Sequence, residues 1–161
     1  MENQSLYFAI GAAVLAVIYG LFLIRWIMKQ PTGNAKMVEI AKAIQEGAKA
    51  YLNRQYKTVA YVAIIVFLIL GFALNWTTAI GFLVGALLSA AAGYIGMNIS
   101  VQANVRCAEA ANGGIQKALN VAFKGGAITG LLVAGLGLLG VTGFYWVTKD
   151  VSALIGLGFG G

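Results

Sequence analysis

The sequence predicts an all-α fold, a polytopic bundle of transmembrane helices with about four complete spans and the start of a fifth. Hydrophobic residues make up 60% of the 161 residues and charged residues only 10%, whereas a soluble domain carries about 25% charged residues. Residues 58 to 105 contain no charged side chain. That stretch is too long for one span of roughly 20 residues and long enough for two. We therefore interpret residues 1–161 as a single membrane domain.

The first span is predicted at about residues 6–28. Tyr7 and Trp26 lie near its two ends, where aromatic side chains anchor a helix at the membrane surface. Pro31 and Gly33 follow and should stop the helix, because proline lacks the amide hydrogen that a continuing helix needs.

A cytoplasmic amphipathic helix is predicted at about residues 35–57. Apolar residues recur there at helical spacing, and charged or polar residues fill the other positions. Asn34 is a suitable N-cap. Nothing breaks the helix before the second span, about residues 58–74, so we expect one continuous helix. The amphipathic part either packs on its neighbours as an extension of that span, or binds lipid headgroups or covers a cytoplasmic site.

The third span is predicted at about residues 78–100, after a turn over residues 75–78. A polar connection follows, and Gly113-Gly114 is its expected break, since glycine pairs interrupt helices. Residues 115–123 carry an apolar stripe that we expect on a short helix of its own. The fourth span is predicted at about residues 125–148.

A fifth hydrophobic segment starts at residue 151 and covers about half of the roughly 20 residues that a span requires. We therefore expect the chain to be a piece of a longer membrane protein. Sites in such proteins form between many helices, so this piece alone should carry little chemistry.

The basic residues predict the orientation. Ten of the eleven lysines and arginines flank the first or the third connection, and Lys149 lies on the opposite side. Because an excess of basic residues marks cytoplasmic loops, the N-terminus is predicted to lie outside. The same placement accounts for the net charge of +6 without a nucleic-acid partner. The ten residues are Arg25, Lys29, Lys36, Lys42, Lys49, Arg54, Lys57, Arg106, Lys117 and Lys124.

Small residues recur every four positions in two of the spans. Such ribbons let another helix backbone approach closely, so we predict two packing faces rather than a substrate or ion path. The third span carries Gly81, Gly85, Ser89 and Gly93, and the fourth carries Gly126, Gly130 and Ala134.

The residues offer no candidate for catalysis, cofactor binding or metal binding. Cys107 is the one cysteine and histidine is absent, which excludes a disulfide within the chain and a zinc site. Glu39, Glu46 and Glu109 are too scattered to hold magnesium. The predicted spans contain no ionisable residue near their centres, where an ion relay would need one. We therefore interpret these helices as a supporting layer.

Four stretches of the sequence resemble one family, the membrane-bound, ion-pumping pyrophosphatases. Residues 46–58 are similar to the segment between the family's first two spans, and residues 93–106 to the end of its third. Residues 122–130 resemble its fourth span and residues 157–160 the start of its fifth. The similarity covers nearly the whole chain in the right order.

The resemblance implies an enzyme that hydrolyses inorganic diphosphate at the cytoplasmic face and moves protons, or sodium ions, outward. It implies Mg²⁺ as cofactor, K⁺ in some members, a homodimer, and a place for these first helices in an outer ring surrounded by membrane lipid. The family's catalytic motifs begin after the position of Gly161, so no catalytic, cofactor-binding or metal-binding residue is carried over. The location implied is the inner (plasma) membrane or an acidic intracellular compartment.

Two other interpretations remain open at this point. An unrelated secondary transporter would show polar sites inside the membrane or inverted repeats, and neither is visible. A non-enzymatic membrane scaffold complete at this length does not explain the unfinished fifth segment.

Overall fold

The computed structural model describes residues 2–161, with side chains from residue 4 onward. Within that part of the chain the fold consists of five α-helices and contains no strand, which confirms the predicted all-α class. Four of the helices are long and apolar enough to cross a membrane. The chain is therefore a membrane protein. The helices are α1 (Glu2–Met28), α2 (Ala35–Ala73), α3 (Trp76–Ala111), α4 (Ile115–Thr148) and α5 (Ala153–Gly160).

Helix α2 is continuous across the predicted amphipathic segment and the predicted second span, as expected from the absence of a breaking residue. Asn34 caps it, because the Met37 amide donates to the Asn34 side-chain oxygen at 3.0 Å. At about 1.5 Å per residue this helix is roughly 58 Å long, far more than the hydrocarbon core of about 30 Å. Part of α2 must therefore project beyond the membrane.

Helix α3 differs from the prediction at both ends. It begins at Trp76 rather than near residue 78, because Asn75 acts as an N-cap and accepts a hydrogen bond from the Thr78 amide at 2.7 Å. The turn is therefore shorter than the predicted 75–78. The expected polar connection after residue 100 is helical up to Ala111, since polar side chains without glycine or proline do not interrupt a helix.

Residues 115–123, which we expected to form a short helix of their own, are the first part of α4. The prediction of a separate helix was wrong, because Gly125 and Gly126 lie inside α4 and do not end it. The break at Gly113-Gly114 is confirmed, and Gly114 has a φ of 105°, a conformation that residues with a Cβ rarely adopt. Lys149 ends α4 in the left-handed conformation.

The bundle is organised around α3 and α4. Helix α4 packs against α1 on one side and α3 on the other, while α3 also contacts α5 and α2. Among the described helices, α2 packs against α3 alone. The buried core lies between α1, α3 and α4 and consists of Leu23, Ile27, Ala92, Ile99, Ala103, Val121, Ile128 and Leu132.

Candidate functional site

The backbones of α3 and α5 approach each other closely. A Cβ placed on Gly85 would overlap the carbonyl oxygen of Leu157, and one placed on Gly81 would lie 2.8 Å from the carbonyl oxygen of Ala153. The fit is reciprocal, because a Cβ on Gly160 would overlap the carbonyl oxygen of Phe82. The small-residue ribbon of α3 is thus confirmed as a packing face, and its partner is α5.

The rest of the same ribbon meets two different groups. The Ser89 hydroxyl donates to the carbonyl oxygen of Gly161 at 2.8 Å. A Cβ on Gly93 would lie 2.6 Å from the Tyr56 hydroxyl of α2. The ring of Tyr56 packs edge-on against Tyr94, with 5.4 Å between centroids, and the Tyr94 hydroxyl donates to Asn53 at 3.2 Å. This aromatic pair joins α2 to α3.

The predicted second ribbon does not pack within this chain. Gly126 and Gly130 have no atom within 4 Å of an added Cβ, and Ala134 is exposed as well. None of the described helices meets this face, because spacing alone does not tell which helix a small-residue face meets. Its role as a packing face stays a prediction. Gly125, Gly135 and Gly140 are the buried glycines of α4 instead, and Gly135 lies against Val17 of α1.

A buried arginine holds the end of α1. The Arg106 side chain of α3 is only 8% exposed, and its Nη2 donates to the carbonyl oxygen of Met28 at 3.4 Å. Its Nη1 donates to the carbonyl oxygen of Gln102 at 2.6 Å. A cation at a helix C-terminus offsets the partial negative charge of the last carbonyls. Arg106 therefore fastens α1 to α3 at the predicted cytoplasmic end of the bundle.

A second cation joins α1 to α4 nearby. The ammonium group of Lys124 lies 3.7 Å from the centroid of the Trp26 ring, which is a cation–π geometry. The side-chain amide of Gln30 donates to the carbonyl oxygen of Trp26 at 3.2 Å. Trp26 is therefore held at its ring and at its backbone, and α1 is fixed to both neighbours at this end.

The three glutamates at the same end have different surroundings. Glu39 pairs with Lys36 at 3.1 Å, and both side chains are exposed. Glu109 accepts a hydrogen bond from Asn112 at 2.9 Å, and Glu46 is exposed on α2. No group of three metal-ligating side chains forms among the described residues. These residues do not fit a magnesium site, so we derive no reaction step from them.

The arrangement can therefore pack and anchor helices, and sequence reasoning missed its main polar contacts. The sequence assigned Arg106 and Lys124 only to a basic connection, whereas in the structure both side chains contact α1. A weak signal was available, because Arg106 follows Gln102 and Asn98 at intervals of four residues on one face of α3. Each of these three side chains donates to the carbonyl oxygen four residues before it.

Comparison with known proteins identifies the family. The family model described as inorganic H+ pyrophosphatase matches residues 14–161. A K(+)-insensitive pyrophosphate-energized proton pump from Methanosarcina mazei is 50% identical over 151 residues, which are 92% of this chain and 22% of that protein. K(+)-insensitive pyrophosphate-energized proton pump 2 from Moorella thermoacetica is 44% identical over 158 residues, with shares of 93% and 23%.

A third relative carries a different ion in its name. It comes from Clostridium tetani, is provisionally named a K(+)-stimulated pyrophosphate-energized sodium pump, and is 44% identical over 131 residues. Those residues are 81% of this chain and 19% of that protein. The chain thus spans about a fifth to a quarter of the length of these curated relatives. The match over residues 14–161 shows that the chain belongs to the inorganic H+ pyrophosphatase family.

Proposed function

We propose that this chain is the N-terminal, outer-ring part of a pump that couples hydrolysis of inorganic diphosphate to outward movement of protons. The observation that carries the proposal is the family match across residues 14–161, together with a relative at 50% identity that is named a proton pump. The four long apolar helices are what an ion pump needs in order to sit in a membrane.

Within such a pump the chain acts as a supporting layer. Its described residues bring no cluster of metal ligands together, and its predicted spans carry no central ionisable residue. What they do provide is close helix packing, through Gly81 and Gly85 of α3 and the cation–π contact at Trp26. The diphosphate site, its Mg²⁺ ions and the ion path then belong to other parts of the complete pump.

The orientation and the membrane boundaries follow from charge. We place the N-terminus outside and the projecting part of α2, residues 35–57, in the cytoplasm, because ten basic residues cluster on that side. The spans then lie at about residues 6–28, 58–74, 78–100 and 125–148. The plasma membrane is the proposed location, with an acidic intracellular compartment as the alternative, and the proposed assembly is a homodimer.

A sodium pump is the second candidate function. It is favoured by the Clostridium tetani relative, which is 44% identical over 131 residues and carries K(+)-stimulated sodium pumping in its name. Two relatives with K(+)-insensitive proton pumping in their names cover more of this chain. We therefore propose proton pumping without a K⁺ requirement.

The test uses the complete gene product reconstituted in sealed vesicles. We expect added diphosphate and Mg²⁺ to acidify the vesicle lumen in Na⁺-free buffer, both with and without K⁺. Diphosphate without Mg²⁺, and Mg²⁺ with orthophosphate, are the controls. Uptake of Na⁺ that persists with a protonophore present, together with stimulation by K⁺, would instead establish the sodium pump. Hydrolysis with no ion movement would disprove the coupling.

A further inference from the structure

The outer face of α1 carries three apolar side chains followed by two cations. Leu15, Ile18 and Phe22 are 67%, 56% and 60% exposed, and Arg25 and Lys29 are exposed one and two turns further on. The spacing of 3, 4 and 3 residues places Leu15, Ile18, Phe22 and Arg25 on one side of α1, and Lys29 follows directly after the helix ends at Met28. That side is opposite to Gly20, Leu23 and Ile27, which face α4 or the core.

The part of the exposed apolar face nearest Arg25 has the depth of one membrane leaflet, and the face itself continues as far as Phe8. From Leu15 to Arg25 the helix rises about 15 Å at 1.5 Å per residue, which is half of a hydrocarbon core about 30 Å thick. An acyl chain that lies along Leu15, Ile18 and Phe22 would therefore bring its headgroup level with Arg25. Lys29 lies in the turn just beyond the helix end, at the level of a phosphate and its polar substituent.

A third positive charge lies at the same end of the bundle. Lys124 of α4 is held over the ring of Trp26, and Trp26 is the residue next to Arg25 on α1. Among the described side chains the ion pair is that of Lys36 with Glu39. Within this part of the chain, Arg25, Lys29 and Lys124 therefore have no carboxylate within 4 Å. Three cations around one helix end create a positive potential that an anionic group would offset.

We propose that Arg25 and Lys29, at the end of the bundle where Lys124 adds to the positive potential, bind the headgroup of an anionic phospholipid whose acyl chain lies along Leu15, Ile18 and Phe22. The occupant is a lipid rather than a soluble anion because the exposed apolar side chains continue directly from the cations through the depth of a leaflet. The proposal depends on α1 lying in the membrane and does not depend on diphosphate hydrolysis.

The experiment measures lipid binding to the complete gene product in detergent. Native mass spectrometry counts bound phosphatidylglycerol as it is titrated, with phosphatidylcholine of the same chain length as the neutral comparison. The test variant is Arg25→Gln with Lys29→Gln. The matched control is Lys42→Gln with Lys49→Gln, which removes the same charge from exposed positions of α2. Far-UV circular dichroism and the melting temperature verify that each variant is folded.

We expect the test variant to bind phosphatidylglycerol roughly 25-fold more weakly, because each basic side chain near a membrane surface contributes about a fivefold attraction. The control variant should bind like the parent, and Arg25→Lys with Lys29→Arg should restore binding. Phosphatidylcholine should bind the parent no better than it binds the test variant.

Three results would overturn the proposal. Equal weakening in the control variant would show a diffuse attraction of the whole basic side. Competition by soluble glycerol phosphate at the same concentration as the lipid would show a site for a free anion. Unchanged phosphatidylglycerol binding in the test variant would show that another part of the gene product covers this face of α1.

Discussion

The guanidinium group of Arg106 in α3 lies against the last carbonyl of α1, with 3.4 Å between its Nη2 and the oxygen of Met28. Helix C-termini leave up to four carbonyl groups without partners inside the helix. A buried cation from another helix donates a hydrogen bond to one of these carbonyl groups. Its charge also offsets the negative end of the α1 dipole. This contact holds the C-terminal end of α1 in its position against α3.

Replacement of Arg106 tests that contact. Arg106→Gln should destabilise the folded protein by about 1.5–3 kcal/mol, the usual contribution of a hydrogen bond to a charged group. Thermal unfolding in detergent measures the effect. The control is Arg54→Gln, an exposed position on α2, where the change should stay within about 0.5 kcal/mol. Equal melting temperatures for the two variants would show that Arg106 contributes no more than a surface arginine.

The cation–π contact between α1 and α4 can be isolated by a double-mutant cycle. Trp26→Leu, Lys124→Gln and the double variant are compared by thermal unfolding, and we expect a coupling energy of about 0.5–2 kcal/mol. Effects that simply add would contradict the contact. Trp146, exposed at the other end of the bundle, is the matched control, since Trp146→Leu with Lys124→Gln should show no coupling.

The packing of α5 on α3 predicts a strong effect at Gly85. Gly85→Leu places a side chain where the backbone of Leu157 lies, so α5 must move away and lose the close contact that holds helices together in lipid. We expect loss of folded protein before any specific loss of activity, with a cost of at least about 1–3 kcal/mol. Yield and thermal stability of the complete gene product measure it.

Gly11→Leu is the control for that experiment. Gly11 also lies in a long apolar helix, and an added Cβ there meets no atom within 4 Å. Its yield should match that of the parent. Normal yield and stability for Gly85→Leu itself would show that this face of α3 meets lipid instead of α5.

The proposed topology predicts which positions a membrane-impermeant thiol reagent reaches. In a Cys107→Ala background, a cysteine at position 2 should be labelled in intact cells, whereas a cysteine at position 42 should be labelled only after lysis. The reason is the excess of basic residues on the side of Lys42. Labelling of position 42 but not of position 2 in intact cells would reverse the orientation.

The 161-residue chain by itself should insert into a membrane without hydrolysing diphosphate. Binding a magnesium-bound diphosphate needs several convergent carboxylates, whereas Glu39, Glu46 and Glu109 are dispersed in the described structure. Phosphate release from diphosphate by the purified chain should equal a protein-free blank. Turnover that is lost on changing all three glutamates to glutamine would place an active site in this chain.

Local signals in the sequence predicted several features of the fold correctly. Asn34 and Gly113-Gly114 mark a helix start and a helix break by their own chemistry, so they could be recognised without knowledge of neighbours. The ribbon at Gly81 and Gly85 was predictable as a packing face because the third span offers no other reason for such regular glycine. Its partner α5 was not predictable, since spacing gives a face and not the helix that meets it.

The failures also have physical causes. Asn75 was interpreted as part of a turn, whereas its side chain caps α3 and lets the helix start at Trp76. The ribbon at Gly126 and Gly130 looked equivalent to the first, but none of the described helices meets it, so its packing role stays a prediction. Contacts such as that of Lys124 with Trp26 join residues far apart in sequence, and no local pattern encodes them.

The α3–α5 contact also constrains the order in which the chain can assemble during synthesis. Gly85 has to wait for Leu157, roughly 70 residues later, which at about 5–20 residues per second means roughly 4 to 14 seconds. During that interval the glycine face of α3 has no α5 to pack against. The folding intermediate therefore exposes a helix face that can pack against other proteins. We expect variants that delay insertion of α4 or α5 to be degraded by membrane proteases before they reach the native fold.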